Sequence, residues 1–302
     1  MAKIKTARFV WMNGKFVEWK QAKVHVMTHA LHYGSGVFEG IKSYKTKNGA
    51  AIFRLDEHIE RLFYSARGFD IKINFTRKQL KGAIKSLVKK NKLNYAYIRP
   101  IVYYGYGSLD VYPKNVPVDI SIMAVPLTYF PSKNMKIKTS RFLRLSEKTT
   151  VFGCKISGNY ANSILAMHEA RKKGYDEALL LDQQGFVSEG PAENLFIVKD
   201  GNLITPFSKS ALHGITRDSI IKMSKDLGIK SYEKKMRLNE VKKADELFYC
   251  GTLAEIDPII SVDNKKIGNG KPGKITLKIR DKFYDIVQGK DKKYRKWLTY
   301  IN

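Results

Sequence analysis

Lys155 stands in the octapeptide Gly153-Cys154-Lys155-Ile156-Ser157-Gly158-Asn159-Tyr160, a short small-residue segment just ahead of a run with helical spacing. A primary amine held in such a segment has a distinctive chemistry. It condenses with a cofactor aldehyde as a Schiff base, and it can later move a proton when the aldehyde leaves it. The plainer reading is a solvated surface charge, since the chain carries 55 Lys and Arg. The octapeptide alone does not decide between the two.

Other residues add to the first reading. Glu189 ends a buried-strand pattern, where an anion beside a pyridine nitrogen would keep that nitrogen protonated; in isolation a glutamate so placed is more often a cap or a surface residue. Gly214-Ile215-Thr216 opens a helix, a generic site for a phosphate. Arg61 lies beside the apolar stripe of another helix and is a candidate cation for the same phosphate. Gly251-Thr252 offers a hydroxyl and turn amides. Tyr95, Tyr97, Arg99 and Ile101 share one strand face, and an arginine flanked by tyrosines suits a carboxylate. Together these meet the needs of pyridoxal 5′-phosphate, although none is specific alone. His25, His29 and His32 lie close together, but no Cys, Glu or Asp cluster at ligand spacing accompanies them, so no metal is expected. Their stretch, His25 to Gly40, is rich in glycine and aromatics, as where backbone must approach a small ligand.

These residues need elements to position them. Phe9 to Trp19 reads as a hairpin about Asn13-Gly14. Ile41 to Arg54 reads as two strands. A helix follows, with Asp56 as N-cap and Gly68 just past its end, its stripe made by Ile59, Leu62, Phe63 and Ala66. A second helix runs from Thr76 to Lys90. Strands are expected at 95–104 and 119–126, then a linker at 128–136. Beyond it come a strand near 135–142, a helix at 162–172, and strands at 178–181, 186–190, 194–198, 203–205 and 247–252. A helix runs from Gly214 to Gly228, and another over 275–287. The expected division is 1–127, linker 128–136 and 137–302, with the cofactor in the cleft between two domains.

Length and composition set outer bounds. The chain's 302 residues suit one large domain or two ordinary ones, and 43% hydrophobic with 12% aromatic residues permit a packed core. The apolar runs are too short to span a bilayer, so no membrane partner is expected. Met1 to Lys20 has no signal-peptide pattern. Cys154 and Cys250 form no CxxC or Cys/His motif, which suits a reduced, cytoplasmic protein. The net charge of +27 is spread along the chain and densest at Lys290 to Lys296. No zinc-finger, RRM or KH signature goes with it, so no specific nucleic-acid partner is expected; the charge attracts phosphates and carboxylates instead. A basic nucleic-acid-binding protein on an inactive scaffold is the rival from another class.

The sequence resembles the branched-chain amino-acid aminotransferases, class IV pyridoxal-phosphate enzymes of fold type IV. The resemblance rests on Lys23 to Gly34, Val37-Phe38-Glu39-Gly40-Ile41, Tyr97-Ile98-Arg99-Pro100, Lys155 with Gly158-Asn159-Tyr160, Ser188-Glu189-Gly190 with Glu193-Asn194-Leu195-Phe196, Gly214-Ile215-Thr216-Arg217, and Gly251-Thr252 with Ala254-Glu255. These run in family order over nearly the whole chain. They imply an α+β protein with a smaller N-terminal α/β sandwich-like domain and a larger C-terminal β-barrel-like domain with helices. By the same resemblance, Lys155 is the Schiff-base lysine and proton shuttle, Tyr160 bonds the cofactor ring oxygen, and Glu189 pairs with the pyridine nitrogen. Arg61, Ile215, Thr216 and Thr252 hold the phosphate. Tyr97, Thr252 and Leu253 meet the substrate α-carboxylate, Tyr33, Phe38 and Tyr129 line the side-chain pocket, and Arg99 receives the distal carboxylate of glutamate. The implied reaction is ping-pong transfer from L-leucine, L-isoleucine or L-valine to 2-oxoglutarate by at least a homodimer. D-amino-acid and (R)-amine aminotransferases and aminodeoxychorismate lyases share the fold and remain alternatives. Departures from the family are Ala192 for a usual Gly, Leu127 for a frequent Trp, and Cys154 for a common Ala.

Overall fold

The computed structural model describes residues 6–127 and 134–301. It divides into two compact units, one drawn from Met1–Tyr129, Cys154–Gly158 and Asp285–Asn302, the other from Phe130–Gly153 and Asn159–Tyr284. Most of the expected linker, 128–133, lies outside the described residues; Met135 and Lys136 already begin a strand.

The first unit is built on one antiparallel sheet. Strands β1 (Phe9–Met12) and β2 (Lys15–Glu18) form the expected hairpin, with Asn13 at φ 46° and Gly14 at φ 95° supplying the two left-handed turn positions. The short helix α1 (His29–Tyr33) precedes β3 (Gly36–Phe38), β4 (Ile41–Thr46) and β5 (Gly49–Phe53). Helices α2 (Leu55–Gly68) and α3 (Arg77–Lys90) come next, then β6 (Ala96–Tyr104) and β7 (Val118–Pro126). The sheet order is Leu298–Tyr300, β5, β4, β6, β7, β1, β2, with β3 also on β6.

Two rows of apolar side chains hold the helices to this sheet. Ile59, Leu62 and Ala66 of α2 and Leu80, Ile84, Leu87 and Val88 of α3 are buried with Ile41, Ile52, Ile98, Val102, Ile120 and Ile122. Each such Leu, Ile or Val side chain contributes about 1.5–3 kcal/mol by leaving water. Thr76 caps α3 as the sequence implies: its Oγ1 accepts from the Gln79 amide at 3.2 Å, and Gln79 Oε1 accepts from the Thr76 amide at 2.7 Å. The start of α2 differs from expectation. Arg54, at φ 50°, occupies the N-cap, Asp56 falls in the first turn, and Gly68 is the last helical residue. Tertiary contacts set that turn. The Arg54 amide donates to Trp297 O at 2.7 Å, and its guanidinium lies 4.8 Å from the Trp297 ring.

The second unit has a mixed sheet. Its elements are β8 (Met135–Thr139), α4 (Tyr160–Lys172), β9 (Glu177–Leu181), β10 (Val187–Glu189), β11 (Asn194–Lys199), β12 (Asn202–Pro206), α5 (Ile215–Ser224), β13 (Ser231–Lys234), α6 (Leu238–Val241), β14 (Glu246–Gly251), β15 (Glu255–Val262) and β16 (Lys265–Lys266). The order is β10, β9, β8, β15, β14, β11, β12, β13, with β16 on β15. β8 runs parallel to β9 and β15, and β12 parallel to β13. Leu179, Val187, Leu195, Ile197, Leu247, Tyr249, Ile259 and Val262 form its core. A last helix spans Lys274–Val287. Two sheets, each carrying helices, make the chain α+β, the expected class.

Candidate active site

In the first unit the lysine segment is held by its backbone. Cys154–Gly158 lies against β3: the Phe38 amide donates to Lys155 O at 3.1 Å, and the Ser157 amide to Gly36 O at 2.8 Å. The Lys155 amide donates to Ser65 Oγ of α2 at 2.9 Å. Two glycines permit the approach. A Cβ on Gly34, itself at φ 62°, would lie 2.6 Å from Gly158 Cα. The main chain is thus fixed from β3 and α2.

The Lys155 side chain meets Phe38, which in turn meets Arg99. Lys155 Nζ lies 4.7 Å from the centre of the Phe38 ring, and the Arg99 guanidinium carbon lies 4.5 Å from the same centre. Arg99 Nη2 donates to Tyr97 Oη at 2.5 Å. Arg99 Nε is buried and has no hydrogen-bond partner among the described residues. A buried, unanswered guanidinium N–H costs free energy until an acceptor arrives, and a carboxylate is the acceptor whose shape it fits. Gly40 makes room for this arrangement, since a Cβ there would come within 2.4 Å of Tyr97 Oη.

Two other candidates of this unit are engaged differently. Tyr33 is 42% exposed; its hydroxyl donates to Leu109 O at 2.6 Å and its ring packs on His29 at 4.7 Å. Arg61 pairs with the fully buried Glu39. Tyr129 lies outside the described residues. The three neighbouring histidines have separate tasks: His25 Nδ1 accepts from the Met27 amide at 3.1 Å, His29 Nε2 donates to Asp110 O and His32 Nε2 to Val26 O, the last two at 2.9 Å. No group of His, Cys, Asp and Glu suited to a metal occurs among the described residues.

The second unit holds Glu189 at the end of β10, 3% exposed. Its Oε1 lies 2.7 Å from Arg144 Nε. Its Oε2 accepts from Asn194 Nδ2 at 2.9 Å and from the Leu212 amide at 3.0 Å. A buried carboxylate so surrounded is a fixed anion. Arg144 is a residue the sequence reading passes over, because nothing local marks it among so many basic residues. Asn194, noted there only as part of a motif, is the hub. It bonds both Glu189 and Leu212 O and packs against the N-terminus of α5, where a Cβ on Gly214 would fall 1.9 Å from its Oδ1. Gly214 is therefore required, and it is the N-cap of the helix whose first residues are Ile215 and Thr216. Both are buried, and first-turn amides at this position are anion donors. Gly251, at the end of β14, opens the turn that carries Thr252 and the 62% exposed Leu253. Tyr160 begins α4 and is half-buried. Ala192 is exposed, and its φ is not in the left-handed region. Its methyl therefore strains nothing in its own backbone.

Glu177 of β9 gives a stability prediction. Burial, and then the neighbouring Glu193 carboxylate, pushes its carboxyl up from 4.5 to about 8. Between those two pH values the folded chain keeps a proton that the unfolded chain has lost. Stability therefore falls as pH rises through that window. Glu177→Gln cannot titrate and should match the wild type at pH 5, then exceed it in melting temperature by several degrees at pH 9. A pH-independent difference in melting temperature would contradict this.

Comparison with known proteins agrees with this architecture. The family described as amino-transferase class IV matches residues 36–262, and the chain belongs to it. Among its relatives, the branched-chain-amino-acid aminotransferase of Escherichia coli (strain K12) is 41% identical over 305 residues, covering 99% of each chain. That of Pseudomonas aeruginosa is 40% identical over 297 residues, covering 97% of each. The crystal structure of the T.th. branched-chain amino acid aminotransferase complexed with N-(5′-phosphopyridoxyl)-L-glutamate superposes with a TM-score of 0.96 at 41% identity, covering 99% of this chain and 100% of that one.

Proposed function

We propose that the chain transfers the amino group of L-leucine, L-isoleucine or L-valine to 2-oxoglutarate, with pyridoxal 5′-phosphate as cofactor. The observation that carries this reading is that Arg99 and Lys155 both lie against the Phe38 ring, with the Arg99 Nε buried and awaiting an acceptor. One carboxylate-recognising cation on an apolar ring suits a pocket that takes both aliphatic and acidic side chains. The residues present fit the cofactor: a buried anion at Glu189, a helix start at Gly214 with no side-chain cap, and an amine on a backbone fixed from both sides. When bound, the cofactor supplies an electron sink for the α-carbon's electron pair.

In this reading Lys155 links covalently to the cofactor and carries the α-proton. Tyr160 bonds the ring oxygen, and Glu189 stays opposite the pyridine nitrogen. Arg61, Ile215, Thr216 and Thr252 hold the phosphate. Tyr97, Thr252 and Leu253 meet the α-carboxylate, Tyr33 and Phe38 line the side-chain pocket, and Arg99 receives the distal carboxylate of glutamate. The assembly is at least a homodimer: Val26, Leu31, Tyr106, Leu109, Val111 and Tyr112 leave an exposed apolar surface on the first unit. Light scattering on a sizing column tests that assembly. The compartment we assign is the cytoplasm. Among the described residues both cysteines are free and buried, and no helix is long and apolar enough to cross a membrane.

The deciding experiment is the visible absorption of the purified protein with and without L-leucine. A band that shifts on adding L-leucine, and not on adding D-alanine, supports the assignment. A protein that stays colourless after incubation with pyridoxal phosphate ends it. Arg99→Leu refines the substrate reading. Losing a charge-assisted bond is expected to lower kcat/KM for glutamate about 10- to 100-fold while leucine changes only a few-fold. Equal losses for both substrates would remove Arg99 from that role.

A further inference from the structure

Glu39 lies one residue beyond β3 and is fully buried, which for a carboxylate requires partners. Two side chains meet it through three nitrogens, besides its own chain neighbour. Arg61 Nε donates to Oε1 at 2.6 Å and Arg61 Nη2 to Oε2 at 2.9 Å, a two-point fork. His58 Nδ1 lies 2.7 Å from Oε2. The Gly40 amide adds a weaker donor at 3.2 Å. His58 and Arg61 are three residues apart on α2 and so present one face to the carboxylate. Burial would raise the Glu39 carboxyl, but the Arg61 charge and His58 outweigh it and hold it well below the usual carboxylate range. Burial likewise holds His58 below its ordinary value against the pull of Glu39. The ionised Glu39 Oε2 accepts from His58 Nδ1.

The backbone around Glu39 is equally constrained. Its amide donates to Pro100 O of β6 at 2.9 Å, and the preceding Phe38 amide donates to Lys155 O at 3.1 Å. One dipeptide thus fixes the lysine strand with its first residue and the arginine with its second. An arginine serving only as surface charge has no need of a completely desolvated carboxylate on two of its nitrogens. The side chain of Arg61 is only 13% exposed, and the fork sets the plane of its guanidinium.

We propose that Glu39 is a positioning residue for Arg61: its carboxylate, steadied by His58, sets the guanidinium to receive the phosphate of the cofactor. This rests on the reading of Arg61 as a phosphate ligand. A merely structural Glu39 would clamp α2 to β3 and have no preference between ligands with and without a phosphate. The test exploits that difference. Apo-protein is titrated with pyridoxal 5′-phosphate and, separately, with pyridoxal, following absorbance, for the wild type, Glu39→Gln, Glu39→Asp, Arg61→Met and Glu39→Gln/Arg61→Met.

Glu39→Gln should weaken pyridoxal phosphate about 10-fold or more while pyridoxal stays within about two-fold. The double variant should be no weaker than Arg61→Met alone, because the two residues act as a unit. Glu39→Asp keeps the charge but draws the fork back by one methylene. It should show a smaller loss with the same selectivity, and it carries the test if the glutamine variant does not fold. Equal loss of both ligands, or no loss of either, overturns the positioning role. If instead Arg61→Met binds pyridoxal phosphate as the wild type does, the phosphate reading of Arg61 fails.

Discussion

Lys155→Ala is expected to leave a folded chain that forms no covalent link to an aldehyde and transaminates about 10⁴-fold more slowly, the upper end of what a positioned proton carrier contributes. The expectation of folding follows from the division of labour in the lysine segment. Its contacts to β3, α2 and Gly34 are made by the Lys155 amide and carbonyl and by Ser157 and Gly158, all of which survive the substitution. The side chain gives up a contact with the Phe38 ring worth about 0.5–1 kcal/mol. Melting temperature should therefore change little while turnover collapses. Borohydride reduction followed by peptide mapping reads the covalent link directly. In the wild type the adduct should sit on the peptide holding Lys155, and in the variant it should be absent. An adduct on another lysine, or turnover within ten-fold of wild type, would take the central role away from Lys155.

Much of this was legible in the sequence where a local rule controls the structure. Asn13-Gly14 forms the tight turn of a hairpin because both residues accept positive φ, and Thr76 with Gln79 closes a capping box because three-residue spacing brings them together. Tyr97 and Arg99 share a strand face through simple alternation, and the structure shows them bonded. What escaped depends on partners far along the chain. Arg144 stands in an aperiodic stretch, and only the fold brings it to Glu189. Glu39 and His58 lie in stretches whose spacing is readable, yet nothing local says that one carboxylate would grip both His58 and Arg61. The contact between Gly34 and Gly158 that lets the lysine strand approach β3 is likewise invisible to spacing.

Strand β15 escaped for a different reason. Pro258 argues against a strand inside a sheet, yet it pairs with Phe248 while the next strand, β8, is reached past a register shift between Ile259 and Ser261. Strand β13 is almost wholly exposed and so carries no apolar alternation to read. The N-cap of α2 was misplaced because a turn fixed by Trp297, near the far end of the chain, overrides the local preference for Asp56.

Glu189→Gln is expected to lower kcat about 10²- to 10³-fold, the scale of one preorganised electrostatic contact, with a much smaller change in KM for leucine. The argument begins from the partners of the carboxylate. Oε1 faces Arg144, while Oε2 accepts from Asn194 Nδ2 and the Leu212 amide. All three present N–H groups. A glutamine has one oxygen and one NH₂, so whichever way its amide turns it sets a donor against a donor. The substitution therefore removes the anion proposed to face the cofactor nitrogen and also leaves a buried donor unmet, which costs about 1–3 kcal/mol of stability. The two effects separate by measurement: thermal unfolding reads the second, and turnover well below the melting temperature reads the first. Glu189→Asp keeps the charge and shortens the reach, so its kcat should fall between those of the wild type and the glutamine variant. Arg144→Met leaves the charge in place but frees one side of it, so it should cost more stability than turnover. A glutamine variant within about three-fold of wild-type kcat would mean that the charge of Glu189 serves only the packing of β10 against Asn194 and the Leu212 loop.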